Sequence, residues 1–124
     1  MTARICRALE NPHVRILAHP TGRLLGSREP YDVDLEQVFA AAKRHGKAIE
    51  INGSPWRLDL NDVHARRARD LGLPVTIDTD THYLDELENM ALGVATARRA
   101  WIGPERVVNA LPLDRLLGWA RGGR

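Results

Sequence analysis

Three times along this chain a short apolar stretch runs into a polar turn and then into a helical pattern, and few folds tolerate that rhythm. The stretches lie at 14–18, 47–51 and 74–78, each too short for a helix and rich in β-branched residues. Strands that alternate with helices at this spacing predict βαβ units and a parallel sheet. Right-handed crossovers then bring all three strand C-termini to one rim, where β/α folds place their chemistry.

The helix after the first strand has the clearest signals. Asp34 with Gln37 makes a start resembling a capping box. Leu35, Val38, Phe39 and Ala42 follow at i, i+3, i+4 and i+7, and Gly46 stops the helix. A second helix is expected over 60–71, capped by Asn61, with Val63, Ala68 and Leu71 inward and Gly72 at its end. A short helix over 2–10 precedes the first strand. Further helices are expected near 84–99, 104–110 and 113–120. The stretch 21–31, with two glycines and a proline, reads as a loop of functional length.

Composition narrows the class. At 124 residues, 44% hydrophobic and 27% charged, the chain suits one ordinary globular domain. A net charge of +2 does not by itself specify a nucleic-acid partner. A single cysteine, Cys6, excludes an internal disulfide and a cysteine-rich zinc site. No apolar run reaches membrane-spanning length and the first residues lack a signal-peptide core, so a cytoplasmic protein without membrane association is expected.

The polar residues at the strand ends are the functional signal. His19 follows the first strand, Glu50 and Asn52 close the second, and Asp78 to His82 follow the third. Asp80 and His82 would face one site if their segment were extended, and a carboxylate with an imidazole suits zinc, manganese or iron. Asp80 could equally cap the next helix, and His19 could be a histidine satisfied at the rim. Glu50 and Asn52, alternating with Ile49 and Ile51, could orient a ligating histidine, or Glu50 could pair with an arginine. Arg23 and Arg57 in the flanking loops could hold phosphate. His13, His45 and His64 receive no role.

Taken together, five segments carry a resemblance. They are Leu17-Ala-His-Pro-Thr-Gly-Arg-Leu-Leu25, Glu50-Ile-Asn52, Arg57-Leu-Asp-Leu-Asn-Asp62, Ile77-Asp-Thr-Asp-Thr-His82 and Gly93-Val-Ala-Thr-Ala-Arg-Arg-Ala-Trp101. In order and spacing the chain resembles the C-terminal half of a PHP (polymerase and histidinol phosphatase) domain. It is most similar to the PHP domain of bacterial family X DNA polymerases. The resemblance implies part of a distorted (β/α)7 barrel over 1–124, about three parallel strands with intervening helices. It further implies a trinuclear manganese or zinc centre in the complete domain, and hydrolysis of phosphate esters at DNA 3′ ends during repair synthesis. His19, Asp80 and His82 match the family's metal ligands, and Arg23 its phosphate- or DNA-contacting arginine.

The family's early His-x-His, its bridging glutamate and its other first-half ligands have no counterpart here. Each of three metals would keep one ligand, so metal in this chain alone is expected to be weak or absent, and turnover negligible. Unpaired strand edges should be hidden by packing of the terminal helices, by a homodimer or by a complementing N-terminal PHP half. The alternative is a non-catalytic binding or structural module that keeps the rim and associates with another chain.

Overall fold

The fold is mixed α/β, a three-stranded parallel sheet with five helices arranged as part of a barrel, in a computed structural model that describes residues 1–122. In chain order these are α1 (Thr2–Leu9), β1 (Ile16–Leu17), α2 (Leu35–Arg44), β2 (Ala48–Asn52), α3 (Asp62–Asp70), β3 (Val75–Asp78), α4 (Met90–Arg99) and α5 (Leu113–Ala120). The sheet order is β1-β2-β3. Ile16 stands beside Ala48, and Ile49 to Asn52 run beside Val75 to Asp78. Central β2 is buried along its whole length, as a strand covered on both faces must be.

The amphipathic spacing in α2 does what it predicts. Asp34 accepts from the Gln37 backbone at 3.1 Å, and Val38, Phe39 and Ala42 are fully buried. The Gln37 side chain returns to the Asp34 carboxylate at 2.7 Å rather than to its backbone, so the start is a variant of the capping box. Burying Phe39 contributes about 2–3 kcal/mol. Asn61 caps α3 by accepting from His64.

Four expectations are corrected. The first strand pairs only over Ile16–Leu17 and Ile16 is 42% exposed, because β1 is an edge strand and His19, at φ 48°, turns the chain out of the sheet. Val63 faces solvent at 68% exposure. At about 100° per residue it lies across the helix from Ala65 and Ala68, which carry the contact. The segment 84–99 is a 3-10 stretch, Leu84–Asn89, followed by α4. The segment 104–110 is two 3-10 turns broken at Val107, which is extended because it bridges to Val75 in parallel.

That bridge bears on the sheet edge. The Asn109 side chain accepts from the Ile77 amide at 3.1 Å and donates to the Ile77 carbonyl at 2.6 Å, standing in for a neighbouring strand. The outer edge of β3 is therefore partly closed by the chain itself.

Helix α4 packs against the loop after β2 through two glycines. A Cβ on Gly53 would stand 2.7 Å from the Asn89 carbonyl and 2.9 Å from the Gly93 amide nitrogen. Both are backbone atoms that cannot swing aside. Gly53→Ala is expected to destabilise the fold by about 2 kcal/mol, read as a lower urea midpoint at constant slope. An unchanged midpoint would show that α4 can move out freely.

Candidate functional site

The strand ends deliver their polar residues to one place. His19 follows β1, Glu50 and Asn52 end β2, and Asp78 to Asp80 end and follow β3. Register places Asn52 beside Asp78 and Glu50 beside Thr76. His19 and Asp80 both have left-handed backbones, at φ 48° and 54°, a conformation that costs a non-glycine residue of order 1 kcal/mol or more. Strain on two polar rim residues is held by the contacts around them.

His19 is the hub. Its Nδ1 lies 3.2 Å from Glu50 Oε2 and its Nε2 3.7 Å from Asp80 Oδ2, while its backbone amide donates to Glu50 at 2.6 Å. When Glu50 is ionised it accepts the Nδ1 proton, and Nε2 then presents its lone pair toward Asp80. Asn52 accepts from the Ser54 amide at 2.9 Å, which leaves its Nδ2 3.4 Å from His19 Nδ1. Arg57 Nε donates to Asp80 Oδ2 at 3.2 Å.

Glu50 is 5% exposed. Burial pushes its carboxyl up to about 8, against the bond from the His19 amide, and the nearby Asp78 carboxylate pushes the same way. Asp78 is raised too, chiefly by burial. A buried and a half-buried carboxyl group beside an imidazole have raised proton affinity, and a cation at this rim would favour their ionised forms.

The donors suit part of a metal shell. Two ligands on one ion at ~2.1 Å stand about 3.4 Å apart in tetrahedral geometry. The His19 Nε2 to Asp80 Oδ2 separation of 3.7 Å is near that value. Among the described residues no group of three His, Cys, Asp or Glu side chains is placed to hold an ion.

His82 stands apart from this cluster. It is exposed, its Nδ1 meets the Asp80 carbonyl at 2.7 Å, and its amide donates to Glu86. Asp80 and His82 would share a side only in an extended segment, and the left-handed turn at Asp80 breaks that geometry. Arg23 is also occupied. Its Nε donates to the Arg57 carbonyl at 2.8 Å and a second nitrogen to the Leu58 carbonyl, so it ties the first loop to the second.

Sequence reasoning missed Asp59. It is fully buried and accepts from the Thr21 and Gly22 amides, each at 3.0 Å, fixing the turn just beyond His19. A lone carboxylate between Leu58 and Leu60 was the available signal. Tyr31 was missed as well; its hydroxyl lies 3.0 Å from the carbonyls of both His19 and Pro20.

The chain is 42% identical over 110 residues to the DNA polymerase/3′-5′ exonuclease PolX of Bacillus subtilis, an alignment covering 89% of this chain and 19% of that protein. It is 28% identical over 114 residues to a probable phosphatase of a Thermoanaerobacter species, covering 87% of this chain and 44% of the relative. A probable phosphatase of Vibrio cholerae is 33% identical over 85 residues, covering 63% and 34%. The chain thus spans about a fifth of one of these relatives and under half of the others. No family profile matches it. These similarities bear out the resemblance read from the sequence.

Proposed function

We propose that this chain, a relative of the PHP-type domain of family X DNA polymerases, supplies the C-terminal part of a metal-dependent phosphoesterase domain acting on phosphate esters at DNA 3′ ends in repair synthesis. The observation that carries this reading is the convergence of His19, Asp80 and Arg57 above buried Glu50, at the C-terminal ends of three parallel strands. His19 and Asp80 would contribute to holding manganese or zinc. Such an ion, when bound, lowers the pKa of water and neutralises phosphoryl charge. Glu50 orients His19, Asn52 holds the loop beyond β2 through the Ser54 amide, and Arg57 positions Asp80 and offers its remaining donors to phosphate. His82 would join only if its side chain left the Asp80 carbonyl. DNA contact by Arg23 would require it to leave the second loop.

Two protein donors leave a weak site, so the remaining ligands must come from an N-terminal PHP half or from a second copy of this chain. The exposed edge of β1 is where either would add strands.

The test measures manganese and zinc uptake by calorimetry and nucleotide release from a labelled 3′ end. The chain alone should show weak uptake and negligible turnover. Adding an N-terminal PHP half in trans should raise both, and His19→Ala or Asp80→Ala should remove the gain. Turnover by the chain alone that is lost in Asp80→Ala would refute the incompleteness argument. A complemented chain without metal uptake would favour the second reading, a non-catalytic module.

A further inference from the structure

The rim opposite the candidate site carries its own unassigned feature. A cavity of about 540 Å³ opens at the N-terminal ends of the strands, lined in part by Arg15, Lys43, Arg44, Lys47, Trp119 and Glu10. Arg15 and Lys47 immediately precede β1 and β2, and Lys43 and Arg44 form the last turn of α2. Lys47 and Asn52 lie at opposite ends of β2, about 16 Å apart at strand rise. This cavity is therefore separate from the His19 cluster.

Its charges are not balanced. Four lysine and arginine side chains face one carboxylate, Glu10, and none of the four takes part in an ion pair among the described residues. Cations at a helix C-terminus are commonplace and account for Lys43 and Arg44. They do not account for the other two. Lys47 is 2% exposed and, among the described residues, its ammonium donates only to the Asn11 carbonyl, at 2.9 Å. The Arg15 Nε is buried without a partner among the described residues, its Nη2 donates to the Trp119 carbonyl, and its guanidinium stacks 4.7 Å from the Trp119 ring centre. An ammonium with one acceptor among the described residues, beside a partly unsatisfied guanidinium, is costly unless an anion is nearby. Burial and the Arg15 charge both hold the Lys47 ammonium below its usual range, in keeping with that cost.

We propose that this cleft binds a phosphate group, as a monoester or as the diester of a nucleic-acid strand. Four lysine and arginine side chains lining one cavity, two of them the exposed Lys43 and Arg44, suit the tetrahedral dianion or the diester, and a cavity of this size admits a nucleotide. Trp119 adds an aromatic wall beside the charges, the pairing that single-stranded nucleic acids use.

The experiment titrates the purified chain with inorganic phosphate, a mononucleotide and a short single-stranded oligonucleotide at low salt. Chemical shifts of the Trp119 indole and the Arg15 Nε–H are the readout. Both signals should move with at least one of the three, and affinity should fall as salt rises. Binding by phosphate and mononucleotide would assign a small phosphorylated ligand, and binding by the oligonucleotide alone a nucleic-acid backbone. Each supports the site. The double variant Lys43→Glu, Arg44→Glu changes exposed side chains at a helix C-terminus, so it should lower the melting temperature by a few degrees while the chain stays folded, and should weaken binding about tenfold or more. Asp80→Asn, at the other rim, should bind as the parent does, which separates this site from the proposed phosphoesterase centre. No shift with any ligand at millimolar concentration, or equal affinity in the charge-reversed variant, would overturn the proposal.

Discussion

Asp59→Ala is expected to destabilise this protein by about 3–5 kcal/mol, the largest single-residue effect outside the apolar core. The carboxylate is fully buried and accepts from two backbone amides, those of Thr21 and Gly22, which are themselves buried. Alanine leaves both donors without a partner where water does not reach, at ~1–3 kcal/mol for each bond to a charged acceptor. It also opens a cavity beneath the loop. Gly22 cannot move in to fill it, because at φ 64° it already lies against the Tyr31 ring. Urea denaturation should show the loss as a lower midpoint. Asp59→Asn keeps one acceptor oxygen and should recover part of it. The imidazole resonances of His19 should shift as well, since the turn that follows it is released. A loss below about 1 kcal/mol would mean that the loop finds other acceptors.

Glu50→Gln should act in the opposite direction, increasingly as the pH rises above about 5. The folded-state pKa is raised to about 8, chiefly by burial, whereas the unfolded chain titrates near the usual carboxylate value. Between those values the folded state binds more protons than the unfolded one, so stability falls as pH rises through that window. The loss is on the order of 5 kcal/mol when complete, and it is absent at acid pH, where both states are protonated. Glutamine has no proton to lose. Parent and variant should match near pH 4 and diverge until the variant is the more stable at pH 9. Asp78, raised for the same reason, leaves the variant some residual slope. Thermal melts in metal-free buffer across this range provide the test; parallel curves would show that Glu50 is ionised throughout.

The architecture was largely legible because its signals are local. Periodicity in α2, the caps at Asp34 and Asn61, and three short apolar stretches are read from neighbours in the chain, and parallel pairing follows from their alternation with helices. His19, Glu50 and Asp80 were placed on one rim for the same reason: a parallel sheet sends every strand C-terminus the same way. The five ordered segments added the family resemblance, which the similarity to PolX and the probable phosphatases bears out.

What only the tertiary structure decided depends on where side chains end, and spacing does not determine that. The left-handed turn at Asp80 separates it from His82, whereas an extended reading had joined them. Arg23 bonds carbonyls of a loop 34 and 35 residues away, a contact with no trace in its own neighbourhood. The weight of Asp59 appears only once the turn beyond His19 folds over it. The basic cleft forms because β1, α2, β2 and α5 bring Arg15, Lys43, Lys47 and Trp119 to one end of the sheet. Secondary structure is dictated by a few adjacent residues at a time; burial, pairing and proton affinity are set by whatever the completed fold places alongside.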